Sequence, residues 1–290
     1  MPFSFSKKDS PYQHWEFLNL ESRDKLCIVP ERGGLITSWV CSGREIFYLD
    51  QSRFKNPSKS VRGGMPILFP ICGNIPRDRF VIDQSEYFIN QHGFARDACW
   101  KLKPLEDGLG VRLSLKEDRN TLMSYPFSFN LDIDVRLENN ALDITSTVRN
   151  NSESMMPFSF GIHPYFKVNN LSSVYLEGLP KRCINQKNMV EEDTSYQLDN
   201  LIQGVDFLVE SINSSLIVDQ DENFSIELNT HEPFLFKVIW TDPPRKMICL
   251  EPWTSPRNSL ISGKNTLTLQ PGLKQDMNCK FVCNQSFKDS

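Results

Sequence analysis

The sequence predicts a mainly-β chain folded as a large antiparallel sandwich. Three observations lead there: apolar and polar residues alternate with period 2 in many short runs, turn-forming residues separate those runs, and no stretch keeps a helical period. Residues 111–115, 131–137 and 142–148 each place apolar side chains on one face, as half-buried antiparallel strands do. Residues 224–228, 234–240, 266–269 and 279–283 extend the same pattern to the end of the chain. Between them stand Gly33-Gly34, Glu138-Asn139-Asn140, Arg149-Asn150-Asn151 and Pro271-Gly272, which suit hairpins better than helical crossovers.

A chain of 290 residues with 39% hydrophobic content can bury a substantial core. No linker, low-complexity tract or internal repeat divides it, so residues 1–290 are expected to form one domain. The formal net charge of -4 leaves no basic field for a polyanion, and nucleic acid is not an expected partner. The N-terminal residues lack the unbroken apolar stretch of a signal peptide, and no run reaches the roughly 18 apolar residues of a membrane helix. A cytoplasmic location without membrane attachment is the expectation. The eight cysteines form no Cys-x-x-Cys pair, several lie in apolar runs, and they read as buried free thiols.

Four segments depart from the strand pattern, and such departures are where binding and chemistry concentrate. In Val61-Arg62-Gly63-Gly64-Met65-Pro66 the paired glycines allow close backbone approach or positive φ, although a bulge with a surface arginine would look the same. In Asn90-Gln91-His92-Gly93-Phe94-Ala95-Arg96-Asp97 an amide, an imidazole and a guanidinium surround a glycine, a set suited to hydroxyls or anions and equally to a polar turn. In Phe158-Ser159-Phe160-Gly161-Ile162-His163-Pro164-Tyr165-Phe166 a histidine sits among aromatics. Apolar surroundings can tune it toward neutrality for proton transfer, while a hydrogen-bonded core histidine is the plainer reading. Finally, Glu251 ends an apolar run beside Pro252 and Trp253, where burial would raise its pKa toward that of a usable base.

Together with Val29-Pro30-Glu31-Arg32-Gly33-Gly34-Leu35-Ile36, these segments resemble the aldose 1-epimerase superfamily of galactose mutarotase-like proteins, in particular its glucose-6-phosphate 1-epimerase-related branch. The matching stretches are Arg62-Gly63-Gly64-Met65-Pro66, Gln91-His92-Gly93-Phe94-Ala95-Arg96, His163-Pro164-Tyr165-Phe166 and Glu251-Pro252-Trp253, in the expected order along most of the chain. The resemblance implies an antiparallel β-supersandwich and an isomerase that needs no metal or organic cofactor. It implies Glu251 as the group that takes the anomeric hydroxyl proton and His163 as the donor to the ring oxygen. It also implies Arg62, Gln91, His92 and Arg96 as substrate-binding residues, with a hexose or hexose 6-phosphate as the small-molecule partner. For the sugar-orienting aspartate Asp206 is the choice, with Asp199 and Asp193 as competitors. Pro164 after His163 departs from the galactose mutarotase branch and points away from galactose as the sugar.

Two other function classes compete. A noncatalytic carbohydrate-binding or regulatory protein could use the same β face. A hydrolase is disfavoured, because His14, His92, His163 and His231 show no H-E-x-x-H or related spacing, and only Glu251 has a motif-level claim among carboxylates.

Overall fold

The computed structural model describes residues 3–285; Met1, Pro2 and residues 286–290, part of the expected 1–290 unit, lie outside it. The architecture is antiparallel β, as expected, and is dominated by three sheets. A five-stranded meander runs in chain order from Phe3–Lys8 to Arg44–Glu45.

A second sheet of eight strands contains the longest ladders. Phe129–Glu138 and Ala141–Asn150 pair along their whole length, and their alternate residues are buried, which is the period-2 signal of the sequence made physical. Asn139 and Asn140 make the turn, and Asn140 takes the positive φ of 56° that asparagine tolerates better than most residues. The strand Lys274–Gln285 lies between Ala141–Asn150 and Phe224–Thr230, joining parts of the chain far apart in sequence.

The third sheet, also of eight strands, carries the candidate site. Its centre is Met247–Trp253, paired with Phe236–Trp240 on one side and with Gly161–Ile162 and Tyr165–Lys167 on the other. Phe207, Ile239, Ile248 and Leu250 face one way, into a large apolar core that extends from Phe17 to Cys283. Residues of opposite parity face the other way. Register places Tyr165, Cys249, Trp240 and Asp206 in one row across four strands, with Glu251 opposite Val238 in the adjacent row.

Two expectations need correction. The predicted strand 234–240 pairs only from Phe236 onward, because a turn through Pro233 precedes it and Phe234 closes that turn with a bond to the His231 carbonyl. The cysteines are free, but Cys99 is exposed, since it follows a short helical turn at the surface instead of entering a strand.

Candidate active site

A cavity of about 170 Å³ opens on the polar face of the third sheet. Arg62, Gln91, His92, Arg96, His163, Asp206 and Glu251, all singled out from the sequence, line it. Gln186, Trp240 and Arg257, not singled out, line it too. Asp193 and Asp199 are exposed elsewhere, so Asp206 is the member of that trio at the cavity.

The glycines explain how loops from distant parts of the chain converge. Gly63 has φ 135°, and a Cβ there would lie 2.4 Å from the Tyr48 carbonyl oxygen, so only glycine lets the Arg62 loop dock on the segment around Tyr48. Gly93, at φ 71°, comes so close to Phe69 that a Cβ would meet its carbonyl oxygen at 2.1 Å. That approach brings His92 and Arg96 to the sheet.

His163 and Glu251 meet at the cavity floor. The backbone N–H of His163 bonds to the Pro66 carbonyl at 2.9 Å, its ring stacks on Tyr165 at 4.7 Å, and the Trp240 ring stands edge-on to it at 5.7 Å. Its Nε2 is then 3.2 Å from Glu251 Oε1. Glu251 Oε2 accepts a 3.0 Å hydrogen bond from Trp253 Nε1.

Electrostatics set the protonation of this pair. Burial, together with the nearby Asp206 carboxylate, pushes Glu251 well above the usual carboxylate range. Burial, then Arg96 and Arg62, pushes His163 down to about 3. The imidazole therefore goes past the neutral tuning expected from an apolar pocket, because two guanidiniums add to desolvation. The two shifts make the carboxyl, rather than the imidazole, the favoured seat for a proton shared by the pair.

His92 is a fixed donor. The Gly73 N–H donates to its Nδ1 at 3.1 Å, which makes Nδ1 the acceptor and leaves the proton on Nε2. Burial first, then His163 and the neighbouring arginines, holds this ring well below the ordinary histidine range and so uncharged.

The three arginines differ in how they are held. Arg62 has no carboxylate partner among the described residues, and its guanidinium lies 5.5 Å above the Trp240 ring. Arg96 donates to the Gln91 carbonyl at 2.9 Å and lies 3.7 Å from Asp97, which leaves part of its fork unused. Arg257 donates from Nε to Gln186 Oε1 at 2.7 Å and approaches Asp206 at 3.7 Å. Gln186 in turn donates to Asp206 at 2.9 Å, so Asp206, Gln186 and Arg257 form a closed polar cluster. Arg257 could have been noticed in the sequence only as the arginine six residues after Glu251. Gln186 had no motif at all.

Such a site can exchange protons with two neighbouring oxygens of a ligand while guanidiniums hold an anionic part of it. His163, Cys249 and Glu251 also bring donor atoms within 4.8 Å of one another, so the floor could accept a soft divalent ion.

Comparison with known proteins agrees with the geometry. The profile of the aldose 1-epimerase family matches residues 18–281. A protein of Cenchrus ciliaris, provisionally named a glucose-6-phosphate 1-epimerase, is 27% identical over 268 residues, covering 83% of this chain and 76% of its own. The crystal structure of the Slr1438 protein from Synechocystis sp. PCC 6803 superposes with a TM-score of 0.89 at 33% identity, over 94% of this chain and 96% of that one. The galactose 1-epimerase of Lactobacillus acidophilus NCFM gives a TM-score of 0.72 at 14% identity, over 98% of each chain, a likeness of fold. The fold is thus the galactose mutarotase-like β-supersandwich.

Proposed function

Because the chain belongs to the aldose 1-epimerase family, we propose that its cavity interconverts the α and β anomers of a hexose 6-phosphate by ring opening and closure, with His163 and Glu251 as the proton carriers. The observation that carries this reading is the 3.2 Å approach of His163 Nε2 to Glu251 Oε1 beneath three arginines. The name of the Cenchrus ciliaris relative supports the phosphate.

In the proposed reaction Glu251 accepts the proton of the anomeric hydroxyl as His163 donates one to the ring oxygen. The bond from C1 to the ring oxygen breaks, the open aldehyde turns about C1–C2, and the ring closes on the other face with the roles reversed. This step requires one proton on the pair, placed on the imidazole. The shifts favour the carboxyl as its seat, so it must cross the contact between them for the reaction. A phosphate dianion on Arg62 and Arg96 would assist this, since it offsets the two positive charges that add to burial in holding the imidazolium down. His92, with its proton on Nε2, and Gln91 are read as hydroxyl contacts, and the Asp206–Gln186–Arg257 cluster as the group that orients the sugar.

The large core cluster from Phe17 to Cys283 supports treating residues 1–290 as one domain. Among the described residues no helix is long and apolar enough to cross a membrane, which is compatible with the proposed cytoplasmic location. The deciding measurement is anomer exchange of glucose 6-phosphate by one-dimensional NMR, with spontaneous mutarotation subtracted. Binding without exchange above that background would instead make this a carbohydrate-binding protein on the same fold.

A further inference from the structure

A second cavity, of about 600 Å³, lies on the solvent side of the five-stranded meander and shares no residue with the first. In the strand His14–Asn19, His14 and Glu16 point to the same face, while Phe17 faces the core. The register pairs Glu16 with Cys27 of Lys25–Val29, which puts the thiol beside them. One donor atom from each of His14, Glu16 and Cys27 lies within 4.8 Å of the others, and all three residues line the cavity.

The histidine supplies the independent observation. His14 is 4% exposed, and its Nδ1 lies 2.8 Å from the Tyr12 carbonyl, an acceptor that fixes the proton on Nδ1. In the neutral ring Nε2 is then the acceptor nitrogen, without a protein hydrogen bond among the described residues. Metal-binding histidines are oriented in this way, with the second ring nitrogen donating to a carbonyl or carboxylate. Nothing in acid–base chemistry on a sugar uses this arrangement.

We propose that His14, Glu16 and Cys27 form a binding site for a divalent ion of the zinc class, separate from the sugar cavity. One nitrogen, one thiolate and one carboxylate give three ligands and leave a fourth tetrahedral position for water. The thiolate selects Zn²⁺ or Co²⁺ over Mg²⁺ and Ca²⁺. Binding exchanges the thiol proton for the ion, so one proton is released to solvent. Lys8 and Lys25 approach Glu16 at 3.9 and 3.5 Å, but both side chains are partly exposed and can swing into water when the ion takes the carboxylate. Glu45 adds a further carboxylate to the wall of this cavity, where it accepts bonds from the Ser38 hydroxyl and the Trp39 N–H.

The test is a titration of the metal-stripped full-length protein with Co²⁺, followed by displacement with Zn²⁺. The expected result is a near-ultraviolet thiolate-to-cobalt charge-transfer band at one equivalent, lost in Cys27→Ser and retained in Cys249→Ser. His14→Asn keeps the thiolate and should weaken binding by at least about ten-fold, since even outer-shell changes at such sites cost that much. Zn²⁺ should also raise the melting temperature of the wild type and not that of His14→Asn, a readout that stands if Cys27→Ser fails to fold. Both variants should keep wild-type anomer exchange, so the metal result and the sugar chemistry are read separately. A band that survives Cys27→Ser but disappears in Cys249→Ser would assign the ion to the sugar cavity and overturn the proposal, as would the absence of Co²⁺ and Zn²⁺ binding at micromolar metal.

Discussion

His163 Nε2 and Glu251 Oε1 are 3.2 Å apart, and the surroundings drive their affinities for a proton in opposite directions from ordinary. The carboxyl holds its proton tightly and the imidazole holds one weakly. The two groups therefore titrate as a coupled pair whose shared proton favours the carboxyl.

Replacing either proton carrier should remove most turnover. Glu251→Gln and His163→Asn keep approximate shape, and each should lower the exchange rate by about 10²–10⁴-fold while leaving sugar-phosphate binding largely in place. NMR exchange rates and a separate binding titration check this. Wild-type rates in both variants would remove the pair from the mechanism.

The pH profile should lack the usual histidine limb. The imidazole gains a proton only toward about pH 3, and the carboxyl gives up its own only above the usual carboxylate range. Because kcat/KM reports the free enzyme, His163 should put no limb on it between about pH 5 and about pH 7, and the Glu251 limb should lie above the usual carboxylate range. An acid limb near the ordinary histidine value of about 6.5 would show that His163 is not depressed in solution.

Arg62 should discriminate by charge. A charge-assisted hydrogen bond contributes about 1.5–3 kcal/mol, so Arg62→Ala should reduce kcat/KM for glucose 6-phosphate roughly 10- to 100-fold. Glucose should lose much less, because Arg62 has no carboxylate partner among the described residues whose loss would disturb the fold. Arg96→Ala should behave similarly, with a smaller effect as its fork is partly used by Gln91. Equal losses for both sugars would assign these arginines to hydroxyl binding or structure.

The buried Glu251 carboxyl should cost stability as pH rises. The folded-state pKa of Glu251 is raised, so between the unfolded value of about 4.5 and that raised value the unfolded chain releases a proton that the fold retains, and stability falls as pH rises. Glu251→Gln removes this dependence and can still donate to His163. Its melting temperature should gain on wild type as pH increases from about 5 to about 8. Thermal scans at several pH values test it, and a gap that narrows with pH would contradict the assignment.

Much of the cavity was legible in the sequence because its residues interrupt patterns, and the family resemblance turned those interruptions into a site. Arg62, His92, Arg96 and His163 stand at glycines or prolines that punctuate apolar runs, and Glu251 is a carboxylate where the run predicts another apolar residue. Trp240 was hidden for the opposite reason, since an aromatic closing an apolar strand looks like core until register places it beside Cys249. Gln186 and Arg257 are defined by bonds to each other across 71 residues, which no local pattern encodes. The trio His14, Glu16 and Cys27 was equally invisible. A search for contiguous histidine motifs misses ligands assembled across a strand pair, where separation in sequence is set by the loop between strands.

The position of Lys274–Gln285 has a consequence for biosynthesis. This strand fills the gap between Ala141–Asn150 and Phe224–Thr230. While the ribosome is still extending the chain, neither neighbour can complete its hydrogen-bond ladder, and two strand edges stay open until the segment has left the exit tunnel. Pairing so distant in sequence is slow to form, and open edges invite association with other nascent chains. The cavity residues therefore emerge before the strand that closes the neighbouring sheet.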